Sequence, residues 1–184
     1  PVCGKKSIYT SRGIEVGNIF QLGTKYSHAM GLQFQNKNGG LEDVIMGCYG
    51  IGVGRLCASV CEVRHDDYGP IWPISIAPWQ VHLCAMRVDK PEVREAADAL
   101  YDKLQKAGVE VIYDDRAVSA GVMFSDADLL GVPVRAVVSP KNLKSGAVEV
   151  SARDKSFRQD AAVEYACEEI QGIVKDMLSR CSAD

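Results

Sequence analysis

At 184 residues and 20.0 kDa, with 47% hydrophobic residues, the chain can fill the core of one ordinary domain or two small ones. No apolar run approaches the roughly 20 residues that a bilayer span needs, and no charged start leads into an apolar stretch, so a membrane protein is not expected and the cytoplasm is. A net charge of -3 and a pI near 5.7 exclude a protein that coats nucleic acid through bulk charge.

Pro1 stands where an initiator methionine would, which favours a piece of a longer protein. Residues 16–22 and 29–35 are strand-like, the turn at Asn36, Lys37, Asn38, Gly39 and Gly40 has hairpin chemistry, and 44–49 resumes an extended run. Together they predict a β-meander. Val53, Leu56, Cys57, Val60 and Val63 then recur at helical spacing.

Gly69, Pro70, Pro73 and Pro78 interrupt any regular element, and a domain boundary is expected near Ala77. Beyond it, 81–88 reads as a strand, and Pro91 with Glu92 opens a helix whose apolar face is Val93, Ala96, Ala97, Leu100 and Leu104 and which ends at Gly108. Strand 109–113, a short helix over 127–130 closed by Gly131, and strand 134–138 complete a βαβαβ rhythm. A further strand at 147–152 and a last helix striped by Val163, Cys167, Ile170, Val174 and Met177 make residues 77–184 a small α/β domain with a mixed sheet.

Seven cysteines, at 3, 48, 57, 61, 84, 167 and 181, form no disulfide framework and suit a reducing compartment. Cys57 and Cys61, four apart on the predicted helix, read as buried small hydrophobes. Cys3 could be half of a metal knuckle, but its partner is absent, and no metal is assigned. Residues 135–158 hold Arg135, Lys141, Lys144, Arg153, Lys155 and Arg158 against Glu149 and Asp154, a basic stretch that fits either an RNA contact or a surface loop.

The most informative segment is Gly47-Cys48-Tyr49-Gly50-Ile51-Gly52-Val53-Gly54-Arg55, where an extended run becomes a helix. Alternate glycines let a ligand reach the backbone, and arginine supplies a planar cation that stacks on a base or grips phosphate. A dinucleotide loop fits poorly, because Arg55 occupies the position of its third glycine, and a Walker loop fails for want of Gly-Lys-Ser/Thr. A tightly packed corner is the alternative that the glycines alone leave open.

The glycines leading to Arg55 resemble motif 3 of the class II aminoacyl-tRNA synthetases, and the likeness extends along the chain. Residues 12–27, 46–55, 71–78, 113–116 and 128–133 resemble the bacterial-type prolyl-tRNA synthetase family in order and spacing. The resemblance implies an α/β chain, α+β overall: the end of a class II antiparallel catalytic sheet with its motif 3 helix in residues 1–76, then a mixed-sheet anticodon-binding domain in 77–184. Motifs 1 and 2 would lie outside this chain, which is therefore expected to be inactive alone.

By the same resemblance, Arg55 would be the catalytic cation, and Glu15, Asn18, Gly50, Gly52 and Arg55 would bind ATP, with Mg2+ expected in the full enzyme. Phe20, Gly47 and Cys48 would lie beside proline. Base recognition in the second domain needs an exposed strand face, aromatic stacking and cations, and by residue type Arg116 and Phe124 would contact the anticodon of tRNA(Pro), with Lys141 on its phosphate. The full enzyme would be a cytoplasmic homodimer. Asn18 departs from the family's usual histidine, and Gly54 from its common serine or threonine. From the residues alone, Phe20 is equally ready as a core residue, Phe124 reads as partly core, the acid-acid-arginine run at 114–116 could be a charge-paired strand end, and His28 and His65 read as surface residues. An RNA-binding accessory module without chemistry is the alternative function.

Overall fold

The computed structural model describes Gly4 and residues 9–181; Cys3 lies outside them. The chain divides into two compact units, Pro1–Val60 and Cys61–Asp184. In the first, strand β1 (Gly17–Gly23) is followed by helix α1 (Lys25–Met30), strands β2 (Gln33–Gln35) and β3 (Leu41–Asp43), strand β4 (Met46–Ile51) and helix α2 (Val53–Val63), whose last residues enter the second unit. β1 pairs antiparallel with β4, and β2 with β3, as two separate two-stranded sheets.

This differs from the predicted meander, because residues 25–30 form a helix where a strand from 29 was expected. Gly31 closes that helix at φ 65, a left-handed cap that glycine adopts freely, and its N–H bonds the His28 carbonyl. The predicted turn is present: Asn36 Oδ1 accepts from the Asn38 and Gly40 amides, each at 2.9 Å. Ser27 is the one buried residue described in residues 1–60, so this unit has almost no core of its own.

α2 matches its predicted span, yet none of its residues is buried. Cys57 is exposed and Cys61 half-buried, which corrects their reading as buried hydrophobes. The apolar stripe was sound as periodicity, and no described residue of the first unit buries it.

The second unit opens with a hairpin of β5 (His65–Asp66) and β6 (Gly69–Pro70). Then come β7 (Val81–Ala85), α3 (Pro91–Lys106), β8 (Val111–Asp114), α4 (Ala120–Leu130), β9 (Val134–Val138), α5 (Pro140–Lys144), β10 (Ala147–Ala152), β11 (Arg158–Ala162) and α6 (Ala166–Cys181). The five-stranded sheet has the order β11-β10-β9-β7-β8, with β9, β7 and β8 parallel and β10 antiparallel to both β9 and β11. The α/β expectation holds, while α5 and β11 were not foreseen, α4 begins seven residues before the predicted short helix, and Val163 precedes α6 instead of belonging to it.

All five residues of β7 are buried, because helices cover both faces of a central parallel strand. Leu83, Val134, Ala136 and Val150 join Val93, Leu100 and Leu104 of α3 and Ile170 and Val174 of α6 in the main core. On the opposite face Cys84 and Val137 meet Met123 and Ala127 of α4 in a smaller cluster. That thinner second layer leaves room on this face for polar side chains.

Candidate functional site

In the first unit the β1–β4 register sets the site. Asn18 pairs with Gly50 and Phe20 with Cys48, so these four share one face of the ribbon, and the alternation of a strand puts Ile19, Tyr49 and Ile51 on the other. Gly52 bridges β4 and α2: its amide bonds the Val16 carbonyl at 2.9 Å, and its carbonyl accepts the Leu56 amide at 2.7 Å, opening the helix. Arg55, in the first turn, donates from Nη1 to the Glu15 carbonyl at 2.8 Å. Asn18 Nδ2 reaches Glu15 Oε1 at 3.4 Å.

Glu15, Asn18, Gly50, Gly52 and Arg55 therefore line one open cradle, together with Val16, Gly17, Ile51 and Gly54. A Cβ on Gly50 would stand 3.2 Å from Asn18 Oδ1, inside that space, so glycine there keeps the floor flat. Gly47 pairs with Gln21, and a Cβ on it would meet the Tyr49 ring at 3.4 Å, which places it on the face opposite Phe20 and Cys48. Phe20 is 52% exposed and packs into no core.

In the second unit a cavity of about 400 Å³, in the size range of small-ligand sites, opens between β8 and α4. His82, Tyr113, Asp114, Asp115, Arg116, Asp126, Leu129 and Leu130 are among its lining. Arg116 bonds Asp114 through Nε at 2.9 Å and Nη2 at 2.8 Å, and Asp126 through Nη2 at 2.8 Å. The guanidinium beside it holds the Asp114 carboxyl below its ordinary range. The acid-acid-arginine run is thus a charge-paired strand end, with Arg116 still half exposed to the cavity.

Phe124 does not line that cavity. It packs against the smaller cluster under the Arg135 guanidinium, 5.4 Å from the ring centroid. Lys141 lies elsewhere, in a groove with Lys144 and Arg158. Of the six cations in 135–158, four are ion-paired: Arg135 with Asp128, Arg153 and Lys155 with Asp66, and Arg158 with Glu149. Among the described residues only Lys141 and Lys144 of this set lack an ion pair, so the basic stretch is mostly neutralised locally.

Sequence reasoning missed His82 and Asp126 in this cavity. His82 is 2% exposed, with Nδ1 buried and unpartnered. Its signal was a lone titratable residue inside the apolar run of β7. Burial lowers its pKa from 6.5 to about 4, against the pull of Asp114. Between those values the unfolded chain binds a proton that the folded chain refuses, so stability falls as pH drops through that window and levels off below it. Unfolding at pH 7 and pH 5 should show the wild type losing about 2 kcal/mol more than His82→Leu; equal losses would assign the acid sensitivity elsewhere.

Residues 75–173 match the family model described as anticodon binding domain, and residues 7–64 that of the tRNA synthetase class II core domain (G, H, P, S and T). A proline--tRNA ligase of Dehalococcoides mccartyi is 45% identical over 166 residues, 90% of this chain and 29% of the relative. One of Burkholderia multivorans is 52% identical over 151 residues, 82% of this chain and 26% of the relative. The chain thus spans less than a third of these relatives. A crystal structure of prolyl-tRNA synthetase from Cryptosporidium parvum, complexed with halofuginone and AMPPNP, shares the fold at TM-score 0.77 and 22% identity, over 90% of this chain and 34% of that one. No helix among the described residues is long and apolar enough to cross a membrane. With an anticodon-binding domain over more than half its length and a class II core segment before it, the chain belongs to the prolyl-tRNA synthetase family of class II aminoacyl-tRNA synthetases.

Proposed function

We propose that this chain is part of a cytoplasmic, homodimeric proline--tRNA ligase, contributing one wall of the ATP site from residues 1–76 and anticodon recognition from 77–184. The observation that carries the reading is the convergence of Glu15, Asn18, Gly50, Gly52 and Arg55 on one cradle. In the reaction, a proline carboxylate oxygen attacks the α-phosphorus of ATP and pyrophosphate leaves. The terminal ribose hydroxyl of tRNA(Pro) then attacks the prolyl carbonyl and AMP leaves. No protein nucleophile is needed; the protein's contribution is orientation and charge.

Gly50 and Gly52 give the nucleotide a floor without side chains, and Arg55, held by the Glu15 carbonyl, offers its plane to adenine and its charge to the γ-phosphate. Phe20 and Cys48 share the Asn18 face and would border proline, with the Gly47 backbone beside them. Mg2+ would neutralise phosphate charge. Among the described residues Glu15 is the single carboxylate lining the cradle, which suffices for a cation that takes most of its oxygens from phosphates and water.

In the second unit Arg116 would meet an anticodon base in the cavity. Lys141 would contact phosphate, and Phe124, beneath Arg135, would support the contact surface from behind. A non-catalytic accessory module does not account for the class II core match or for relatives that bear the ligase name. Transfer of labelled proline to tRNA(Pro) by the full-length protein tests the proposal. Charging with proline is expected, and charging with another amino acid instead would overturn it.

A further inference from the structure

Arg153 is 4% exposed, the most deeply buried arginine among the described residues, and its guanidinium is nearly saturated. Nη1 and Nη2 clasp the two Asp66 oxygens at 2.9 and 2.7 Å, Nη2 also bonds the Gly69 carbonyl at 3.1 Å, and Nε bonds the Asp128 carbonyl at 3.1 Å. Its own amide bonds the Pro133 carbonyl at 2.8 Å. One side chain thus ties β10's exit to both strands of the β5–β6 hairpin and to the last turn of α4.

The hairpin and α4 are also interlocked through backbone. A Cβ on Gly69 would lie 2.6 Å from the Asp128 carbonyl oxygen, and the Trp72 amide bonds the Gly131 carbonyl at 3.2 Å. The same turn of α4 faces the Arg116 cavity: Asp126 pairs with Arg116, and Leu129 and Leu130 line the wall. Asp128 therefore sits between two functions, its neighbours walling the cavity while its carbonyl holds Arg153.

We infer that Arg153 is a positioning residue that fixes the α4 wall of the Arg116 cavity to the β5–β6 hairpin, so that RNA binding at the cavity and order in the hairpin are linked. A bidentate guanidinium transmits position in a way a lysine cannot, since an ammonium does not hold both Asp66 oxygens and two carbonyls in one plane. By linkage, whatever stabilises the α4 wall stabilises residues 64–72, and the reverse. The RNA arm of the inference rests on the proposed function; the mechanical arm does not.

Hydrogen exchange of the 184-residue chain, with and without a tRNA(Pro) anticodon stem-loop, tests both arms. In Arg153→Met, segments 64–72 and 120–131 should exchange faster while α6 is unchanged, and stem-loop affinity should fall about tenfold. Arg153→Lys should not restore it, and Asp66→Asn, which keeps side-chain volume, should act in the same direction if the methionine variant folds poorly. Stem-loop binding should slow exchange at 64–72 in the wild type and not in Arg153→Met. Unchanged exchange at 120–131 in Arg153→Met and Asp66→Asn would overturn the inference. Faster exchange there in the two variants, together with a wild-type chain that never binds stem-loop, would uphold the positioning role and sink the RNA reading alone.

Discussion

Gly131→Ala should destabilise the second unit by about 3 to 5 kcal/mol, read as a lower denaturant midpoint at unchanged slope. Gly131 caps α4 at φ 69, where an added Cβ is strained by itself, and that Cβ would stand 2.3 Å from the Pro70 carbonyl oxygen. The neighbour is backbone, so it cannot swing away as a side-chain end would. Relief requires the hairpin to lift off α4, which also loosens the carbonyls that hold Arg153. Gly121→Ala, at the second residue of the same helix, is the control: nothing beyond its chain neighbours and the helix's own backbone lies within 4 Å of the added Cβ, and alanine there should stabilise by about 0.5 kcal/mol. Equal effects at the two sites would show that packing against the hairpin is not what requires glycine at 131.

Arg55→Ala, made in the full-length enzyme, should lower kcat/KM for proline-dependent exchange of pyrophosphate into ATP by about a hundredfold to a thousandfold, the scale of removing one preorganised donor from developing charge. Arg55→Lys should recover little, because an ammonium keeps the charge and loses the plane. The folded state should be barely affected, since Arg55 is exposed on a helix with no buried residue and, among the described residues, its side chain makes one hydrogen bond, to a backbone carbonyl. A variant with wild-type exchange would remove Arg55 from the chemistry.

The parts of the fold most legible in the sequence are those with local signals. α2 and α3 announce themselves by apolar spacing, α4's end by Gly131, and the β2–β3 turn by Asn36. α1 was hidden because Ala29 and Met30 suit either a helix or a strand, and the deciding cap at Gly31 is a conformation that composition does not display. β11 was hidden for another reason: the residues Arg158, Gln159 and Asp160 are exposed on an edge strand, so they carry no hydrophobic alternation.

The site divides in the same way. Glu15, Asn18, Gly50, Gly52 and Arg55 lie on two short segments that only the family resemblance had grouped, and they line one cradle. Gly47 falls on the other face because it is an odd number of residues from both Cys48 and Gly50, a consequence of strand alternation that a motif does not encode. Arg153 and Asp66, 87 positions apart, offered no local hint at all; only the folded chain joins them. Phe124 and Lys141 were grouped with Arg116 by residue type, and the structure places them in separate surroundings.

The β1–β4 ribbon is exposed on both faces, with Ile19, Tyr49 and Ile51 at 73%, 77% and 73% on one and Phe20 at 52% on the other, the kind of apolar surface that marks an interaction site. The most direct test of the account is therefore proline-dependent pyrophosphate exchange measured side by side for the full-length protein and for these 184 residues. Exchange with proline is expected from the full-length protein and none above background from the chain alone. Exchange at an enzyme-like rate by the isolated chain, or a full-length protein indifferent to proline, would contradict it.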